Sequence, residues 1–191
     1  MDTDDDYADP DTPRTAGEIA RRAIVLHCVI AAAYDVSREN LIAWLKEEDL
    51  WEAASPAEQR FLTTATPPKQ DTINAKWRAE AQVALLWAIG KIPSLGSLSE
   101  SCDTGPLVDA IPAFFTPTKE FIETAVLRDE ATIHEEYENV YDAHWKTRDA
   151  IRRKVPIPDD VKPSIVQERH HGFNWLTGYC GQEWDEISTD T

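Results

Sequence analysis

Glu80 is the first residue of this sequence that suggests chemistry, because it is a carboxylate in an apolar stretch of predicted helix. It lies three residues after Trp77 and seven before Trp87, so the three side chains share one side of the helix. A buried carboxylate without a cation is costly. The sequence offers Lys76, one turn back, and Arg169, near the C-terminus. Glu80 therefore either forms an ion pair that supports the fold or lines a pocket for a ligand.

The densest polar cluster in the chain is the run Glu168–His171. Glu168 and His171 have the Glu-x-x-His spacing that places a carboxylate and an imidazole on one side of a helix, as di-iron bundles require. Such sites need a second motif of the same kind, and the chain offers only the looser pair of His134 and Glu138. We predict no metal and no cofactor, and this single motif leaves metal binding by Glu168 and His171 as an open alternative.

The same cluster also has a purely structural interpretation. In that case His170 and Asn174 cap or bridge neighbouring helices, and Glu168 faces solvent. The alternative is a polar pocket between the helix of Glu80 and the last helix. The candidate binding residues of that pocket are Trp77, Arg78, Glu80, Arg169, His170, Asn174 and Trp175.

Sequence motifs for catalysis are missing. Tyr141, His144 and Trp145 are aromatic residues at helical spacing, which usually pack in a core. The chain contains no Gly-x-Ser-x-Gly elbow and no glycine-rich phosphate loop. We therefore predict no catalytic residue and favour a protein that is not an enzyme.

The candidate residues are positioned by a predicted helix over Asp71–Gly90, which carries the longest apolar run in the chain. At ~1.5 Å per residue it is about 30 Å long, the diameter of a small domain. Asp71 or Thr72 can cap its start, and Gly90 ends it. We predict that its last two turns are buried on all sides. The predicted buried stripe is Ile73, Trp77, Ala81, Ala84, Leu85 and Ala88.

Start signals elsewhere in the chain predict further helices. Thr15 with Glu18 and Ser55 with Glu58 have capping-box spacing, and Asp129 is placed to cap a long helix over 130–153. No repeat and no alternating strand pattern occurs. We predict an all-α fold, a single-domain helical bundle of about six to eight helices around a central buried helix near 71–90. Residues 14–191 form this domain, and residues 1–13 are a disordered acidic tail.

The C-terminal part is predicted to contain an extended linker and one last helix. Pro156, Pro158 and Pro163 are assigned to the linker, because proline interrupts a helix. The last helix is predicted for Ser164–Tyr179.

Charge bounds the class of partner. The formal net charge is −16, and six aspartates in residues 1–13 leave −10 on the remainder. An acidic surface repels phosphate groups, so we expect neither nucleic acid nor an anionic membrane as a partner. A basic protein is the partner that such a surface favours, although the charge is also explained by solubility alone.

The composition of the chain also limits the cellular compartment in which we expect the protein. No run approaches the ~18 apolar residues of a membrane span, and the acidic N-terminus does not have the pattern of a signal peptide. Cys28, Cys102 and Cys180 are widely spaced and form no Cys-x-x-Cys pair. We interpret them as reduced thiols of a cytoplasmic protein.

Several tryptophan-containing motifs occur in a recognisable order over residues 15–191. They are Asn74-x-x-Trp77-Arg78-x-Glu80-Ala81, Leu86-Trp87-Ala88-x-Gly90, Cys102-Asp103, Leu127-Arg128, Tyr141 with His144-Trp145, Glu168-Arg169-His170 with Asn174-Trp175-Leu176, Trp184-Asp185 and Asp190-Thr191. Their order and spacing resemble the family catalogued as domain of unknown function 4272. The resemblance implies a soluble, single-domain bacterial protein, and it implies no activity because the family has none assigned.

The leading hypothesis is a non-catalytic cytoplasmic interaction protein whose acidic surface binds a basic protein. An immunity protein or inhibitor that masks the cationic active site of a toxin fits this description. The alternative is an enzyme or a small-molecule or metal-binding protein, with its pocket between the central and C-terminal helices. A third interpretation is a scaffold without a ligand of its own, and oligomeric state remains open.

Overall fold

The computed structural model describes residues 11–191, and every regular element in that range is a helix. Three 3₁₀ turns span Trp51–Ala53, Tyr179–Gly181 and Trp184–Glu186. The predicted all-α bundle of six to eight helices is confirmed. Within the described range the eight α-helices are α1 (Ala16–Ala33), α2 (Arg38–Glu47), α3 (Pro56–Thr63), α4 (Lys69–Ala88), α5 (Thr104–Asp109), α6 (Lys119–Glu123), α7 (Glu130–Arg153) and α8 (Pro163–Thr177).

Side-chain caps begin several helices at the predicted positions. Thr15 Oγ1 accepts a hydrogen bond from the Glu18 N–H, and the Glu18 carboxylate accepts one from the Thr15 N–H. Ser55 and Glu58 form the same capping box at the start of α3. Asp129 caps α7. These side chains give partners to amides that no carbonyl within the helix can reach, so the local sequence fixes these starts.

The core is built around α1, α4 and α8. α4 packs against both α1 and α8, and α7 packs against α8. α1 is buried from Ile19 to Ala33 except at Arg21. α2, α3 and α6 pack around α1. The helix predicted to be central therefore lies between the two other buried helices.

The burial of α4 follows the prediction in its second half and departs from it in the first. Every residue in Ala79–Ala88 is buried, so the last two turns are enclosed. Ile73 is 38% exposed and Trp77 is half-buried, and Ala75 is the buried position in that part of the helix. The predicted burial of Ile73 and Trp77 is wrong. Because α4 is a straight helix, a single orientation about its axis applies to both halves. The large side chains of the second half determine this orientation, and it leaves Ile73 and Trp77 away from the core.

Two helix starts differ from the predicted ones. α4 begins at Lys69 rather than Asp71, directly after Pro68, and no side chain caps it. Pro163 was assigned to the linker but is the first residue of α8. Proline is tolerated there because the first amide of a helix needs no partner within the helix.

Residues 11–13 of the predicted disordered tail run along the end of α8, whereas residues 1–10 lie outside the described residues. Asp11 Oδ1 accepts a hydrogen bond of 2.8 Å from the Cys180 N–H. Gly178 follows α8 with φ +75°, and a Cβ atom there would lie 2.1 Å from the Thr12 carbonyl oxygen. Glycine is thus required where the two segments cross.

Gly172 allows α8 to approach α4 closely. A Cβ atom at Gly172 would lie 3.0 Å from the carbonyl oxygen of Ala81 and 3.2 Å from the Cβ of Ala84. Both neighbours belong to the buried half of α4, so neither has a flexible end that can move aside. The distance between the two helices therefore depends on this glycine.

We predict that Gly172→Ala lowers the free energy of unfolding by about 1–3 kcal/mol, the usual cost of overpacking a core. Alanine is favoured over glycine inside a helix by about 1 kcal/mol, so a helix that had free space would become more stable. Urea denaturation measures the difference. Gln167→Ala, an exposed position of the same helix, is the matched control. A Gly172→Ala protein as stable as the wild type would contradict the close contact.

Candidate functional site

Glu80 and Arg169 form a buried ion pair between α4 and α8. Arg169 donates from Nη2 and Nε to Glu80 Oε2 at 3.0 and 3.1 Å. The side chain of Arg169 is 0% exposed and that of Glu80 is 2% exposed. The sequence leaves open whether Glu80 pairs with Arg169. The structure shows that it does, and this ion pair joins the two central helices.

The other atoms of this pair hold the loop that follows α4. Glu80 Oε1 accepts a hydrogen bond of 2.8 Å from the Cys102 N–H. Arg169 Nη1 donates to the Gly96 carbonyl oxygen at 3.4 Å. Because both carboxylate oxygens have donors, the desolvation of the pair is well compensated.

Arg78 and Glu168 form a second ion pair between the same helices. Arg78 Nη1 lies 3.0 Å from Glu168 Oε2, and the two side chains are 27% and 20% exposed. Burial raises the pKa of Glu168, and the charge of Arg78 opposes that shift. The structural interpretation placed Glu168 towards solvent, but α8 turns this side chain towards Arg78 of the neighbouring helix.

His170 pairs with a histidine of α7. His144 Nδ1 and His170 Nδ1 are 2.9 Å apart, and both side chains are buried. Burial lowers the pKa of each to about 4, helped by Arg148 at His144 and by His144 at His170. Both rings are therefore neutral at pH 7, with one nitrogen donating and the other accepting. This contact agrees with a bridging role for His170.

Asn174 ties the C-terminal segment, residues 178–191, to α8. Its Nδ2 donates to the Ser188 carbonyl oxygen at 2.7 Å, and the side chain is 1% exposed. Asn174 also acts on His170, one turn earlier, and raises its pKa against the effect of burial. The side chain thus holds the segment around Ser188 against α8, next to the buried histidine pair.

His171 occupies a cationic environment. It packs edge-to-face on Trp184 with ring centroids 4.5 Å apart. Burial, followed by the charges of Arg78 and Arg22, lowers its pKa to about 3. Since Glu168 is engaged by Arg78, the Glu-x-x-His motif does not present two free ligands to a cation. In residues 11–191 no three His, Cys, Asp or Glu side chains are grouped to hold a metal ion.

Two tryptophans cover this end of the bundle: Trp175, a candidate binding residue, and Trp184, which the chemical analysis of the sequence did not single out. Trp175 and Trp184 pack edge-to-face at 5.6 Å and are 5% and 1% exposed. The guanidinium of Arg22 lies over both rings and that of Arg14 over Trp175. Trp77 is not brought to this cluster, and no ring or cation contact is found for it within the described part.

Arg22 and Glu58 form a third, unpredicted ion pair. Arg22 Nη1 lies 2.6 Å from Glu58 Oε2, and both side chains are nearly buried. Arg22 also donates to the Ala53 carbonyl oxygen. The signal in the sequence was the position of Arg22 between Ile19 and Leu26 on the apolar side of α1, since a cation there needs a buried partner.

Arg128 closes the C-terminal end of α4. It donates from Nε to the Trp87 carbonyl oxygen at 2.7 Å and from Nη2 to the Ile92 carbonyl oxygen at 2.9 Å. Its own N–H donates to the Ala88 carbonyl oxygen at 2.9 Å. A cation at the negative end of a helix is favourable, so this residue has a structural role.

The thiols of Cys28 and Cys102 are poor nucleophiles in their environments. Cys28 follows His27 directly in α1, and burial raises the pKa of Cys28 while it lowers that of His27 to about 4. Burial and the nearby Glu80 raise the pKa of Cys102 to about 12. Neither Cys28 nor Cys102 is a thiolate at pH 7, so neither fits nucleophilic catalysis.

An acidic cleft of about 470 Å³ lies between the start of α1, the turn Trp51–Ala53 and the C-terminal segment. Arg14, Arg21 and Arg22 also line it. Arg22 is held by Glu58 and Arg14 by Glu183, which leaves Arg21 as the exposed cation of the three. The exposed carboxylates that define the acidic cleft are Glu18, Glu52, Glu183, Asp185 and Glu186.

A second cavity of about 470 Å³ lies between α7 and the end of α8. Its apolar wall includes Leu127, Ile133 and Leu176, and its polar groups include His134 and Tyr137. Glu80, Arg169, His170 and Asn174 line neither this cavity nor the acidic cleft, whereas Arg14 lines both.

A family model described as "Domain of unknown function (DUF4272)" matches residues 5–187 of the chain. The chain belongs to this family. No curated protein and no solved structure matches it. Family membership therefore agrees with the resemblance seen in the motifs and assigns no activity.

Several of the family-like motif residues hold the fold together. Glu80 and Arg169 pair with each other, His170 pairs with α7, Asn174 holds the C-terminal segment, and Arg128 caps α4. Their conformations are set by partners within the chain.

Among residues 11–191 we find no helix whose length and apolar composition would allow it to span a membrane.

We predict that Glu80→Gln lowers the free energy of unfolding by about 3 kcal/mol, because it leaves the charge of Arg169 buried without a counter-charge. The double variant Glu80→Leu/Arg169→Met should recover most of this loss, since it removes both charges and keeps the volume. Urea denaturation of the wild type, Glu80→Leu, Arg169→Met and the double variant gives the coupling energy, and Glu80→Gln is measured beside them. A Glu80→Gln protein with wild-type stability would contradict the ion pair.

We predict that acid destabilises the fold as the pH falls from 6.5 to about 4. His27, His144 and His170 have their pKa lowered to about 4, and His171 to about 3, from 6.5. The unfolded chain therefore binds more protons in this window, and stability falls with pH. The expected loss at pH 5 is about 1–2 kcal/mol per buried histidine.

Nuclear magnetic resonance of a His134→Asn variant tests this directly, because the four remaining histidines are all buried. Their imidazole resonances should keep the neutral form down to about pH 5. Midpoints near 6.5 would show that these rings are accessible to protons in the folded state and would contradict the buried histidine pair.

Proposed function

We propose that this protein is a non-catalytic interaction protein that binds a basic protein partner through the acidic cleft. The observation that carries the proposal is the convergence of five exposed carboxylates on one concave surface. Glu18 comes from α1, Glu52 from the turn after α2, and the other three from the C-terminal segment. A single lysine or arginine side chain of a partner fits a concave site of this size.

The charge distribution in the cleft supports the proposal. Glu52 and Glu186 form no ion pair with any cation of residues 11–191. Both therefore offer an acceptor that a partner's cation can use. The negative charge of the whole chain, −16, adds a long-range field that accelerates the encounter with a basic protein.

An immunity-type or inhibitory role follows from this mode of binding. A cationic active site or nucleic-acid surface is masked when an acidic protein covers it, and fast electrostatic association suits such a role. The polar side chains that were candidates for a ligand site have partners inside the fold: Glu80, Arg169 and His170 are buried in internal contacts. We place the protein in the cytoplasm, because Cys28, Cys102 and Cys180 form no disulfide.

Binding of a small molecule is the second candidate function. It is favoured by the cavity between α7 and α8, whose lining combines apolar side chains with a few polar groups, as ligand pockets do. This cavity is separate from the pocket that the sequence suggested between the central and last helices. The carboxylates Glu52 and Glu186 do not line it.

We predict that the double variant Glu52→Lys/Glu186→Lys binds a basic partner at least about tenfold more weakly than the wild type. The matched control is Glu100→Lys/Asp160→Lys, which reverses two exposed carboxylates that form no ion pair with a cation of residues 11–191. Each reversal adds two charges, so both variants change the net charge from −16 to −12. Any loss beyond that of the control is therefore specific to the cleft.

The partner for this measurement comes from a pull-down with the tagged protein from its native host at low salt, followed by mass spectrometry. We expect one basic protein in stoichiometric amount, released by salt, whose affinity for the three forms is then measured by calorimetry. Equal loss in both variants, or binding that is insensitive to salt, would refute the cleft as the site. An empty eluate would favour the small-molecule alternative.

A further inference from the structure

On the outward face of α7, charged residues lie at equal distances before and after Trp145, and those before it are acidic whereas those after it are basic. Glu138 and Asp142 lie seven and three residues before Trp145, and Arg148 and Arg152 lie three and seven residues after it. At 3.6 residues per turn, these positions lie within about 60° of Trp145 around the helix. All five side chains are exposed, and Trp145 is 46% exposed. We call these five residues the Trp145 face.

The Trp145 face lies opposite the face that α7 uses to join the bundle. The buried residues of α7 are Val140, Ala143, His144, Thr147 and Ala150, which pack towards α8. Trp145 points away from this set and is one of the exposed large apolar side chains, as is Ile151 at 56%. A large aromatic side chain at the centre of an exposed helix face is typical of an interface anchor.

The charges around the face are separated along the helix. Residues 129–145 contain six carboxylates and no lysine or arginine, whereas residues 146–154 contain five cations and one carboxylate, Asp149. Glu138 and Asp142 form no ion pair with any cation of residues 11–191. Among residues 11–191, Arg152 pairs only with Asp149, three residues before it, and both lie on the basic half.

We propose that the Trp145 face binds the same face of a second copy of this chain, with the two α7 helices antiparallel. A twofold axis through Trp145 places Glu138 opposite the second copy's Arg152 and Asp142 opposite its Arg148. The four carboxylate–guanidinium pairs of such a dimer follow from one sequence, because a twofold interface uses the same patch on both subunits. A parallel arrangement instead opposes like charges.

A cavity beside Trp145 leaves space for the partner's side chains. It measures about 470 Å³ and is bordered by Trp145, Arg148, Asp149, Ile151 and Arg152 of α7, together with Thr191. In the antiparallel arrangement this cavity receives the acidic half of the other α7. Its lining offers two guanidinium groups to the carboxylates and an apolar wall to the second tryptophan.

The net charge of −16 opposes the association, so the dimer is expected to be weak. At about 0.15 M salt the Debye length is ~8 Å, which screens distant charges more than contacting pairs. A contact that uses mainly one helix from each subunit is small, and small interfaces are transient. We therefore expect a monomer–dimer equilibrium in the micromolar range.

Exchange of charges between two variants tests the proposal. Glu138→Lys/Asp142→Lys makes the face wholly basic, and Arg148→Glu/Arg152→Glu makes it wholly acidic. Each variant alone opposes like charges and is expected to stay monomeric in sedimentation velocity at concentrations where the wild type dimerises. An equimolar mixture restores all four pairs and is expected to form a heterodimer, which native mass spectrometry distinguishes from either homodimer by mass.

The controls separate this interface from the acidic cleft and from a folding defect. Glu39→Lys/Glu47→Lys changes two exposed positions of α2 by the same charge and should dimerise as the wild type does. Trp145→Ala should weaken the dimer at least about tenfold, and circular dichroism should show unchanged helix content in every variant. Glu52→Lys/Glu186→Lys should retain the dimer, so failure of one proposal leaves the other distinguishable.

A wild-type protein that stays monomeric up to about 500 μM overturns the proposal, because even a small specific interface is populated at that concentration. Dimers of either charge variant alone also overturn it, since they would use another surface. A mixture that remains monomeric while the wild type dimerises overturns the antiparallel pairing of charges.

Discussion

The buried pair of Glu80 and Arg169 is the interaction on which the arrangement of the central helices depends. Removing two charges from water is expensive, and the attraction between them offsets that cost only when the geometry is good and the remaining polar atoms have partners. The chain meets this requirement by bringing the Cys102 N–H and the Gly96 carbonyl to the pair. One ion pair therefore sets the approach of α4 and α8 and also the path of the loop between α4 and α5.

The close packing at Gly172 and the ion pair reinforce each other. Gly172 lets the backbone of α8 lie against α4 without an intervening side chain, and Arg169, one turn earlier, then reaches Glu80. The same short distance brings Glu168 to Arg78, whereas His170 points to the other side of α8 and meets His144 of α7. The polar residues of Glu168–His171 thus face different neighbours, as successive residues of a helix must.

The buried charges of the interior balance one another, because Arg22 pairs with Glu58 and Arg169 with Glu80. Arg22 and Arg169 are buried, and Arg128 is directed to backbone carbonyls rather than to a carboxylate. The surface consequently retains the excess negative charge, which gathers in the acidic cleft and on the first half of α7. The two surfaces differ in kind, since exposed carboxylates outnumber exposed cations in the cleft, whereas the Trp145 face carries both signs in separate halves.

The sequence by itself determined the fold class, the main helices and several of their starts. Thr15, Ser55 and Asp129 act through hydrogen bonds to amides two or three residues away, so no distant residue is needed to place them. The buried half of α4 was likewise evident from its apolar run. Glu80 was recognised as a carboxylate that needs a cation, because burial of an unpaired charge is costly in any fold.

Only the tertiary structure decided which partner each polar residue takes. Arg169 rather than Lys76 pairs with Glu80, and Glu58, which also completes a local capping box, holds Arg22 across 36 positions. The exposure of Trp77 was missed because the rotation of a helix is set by its neighbours. Pairing between helices depends on the distances in space between residues that are far apart in the sequence. The local spacing of residue types does not determine those distances. The acidic cleft is of the same kind, since its carboxylates converge only when the start of α1, the turn Trp51–Ala53 and residues 183–186 come together.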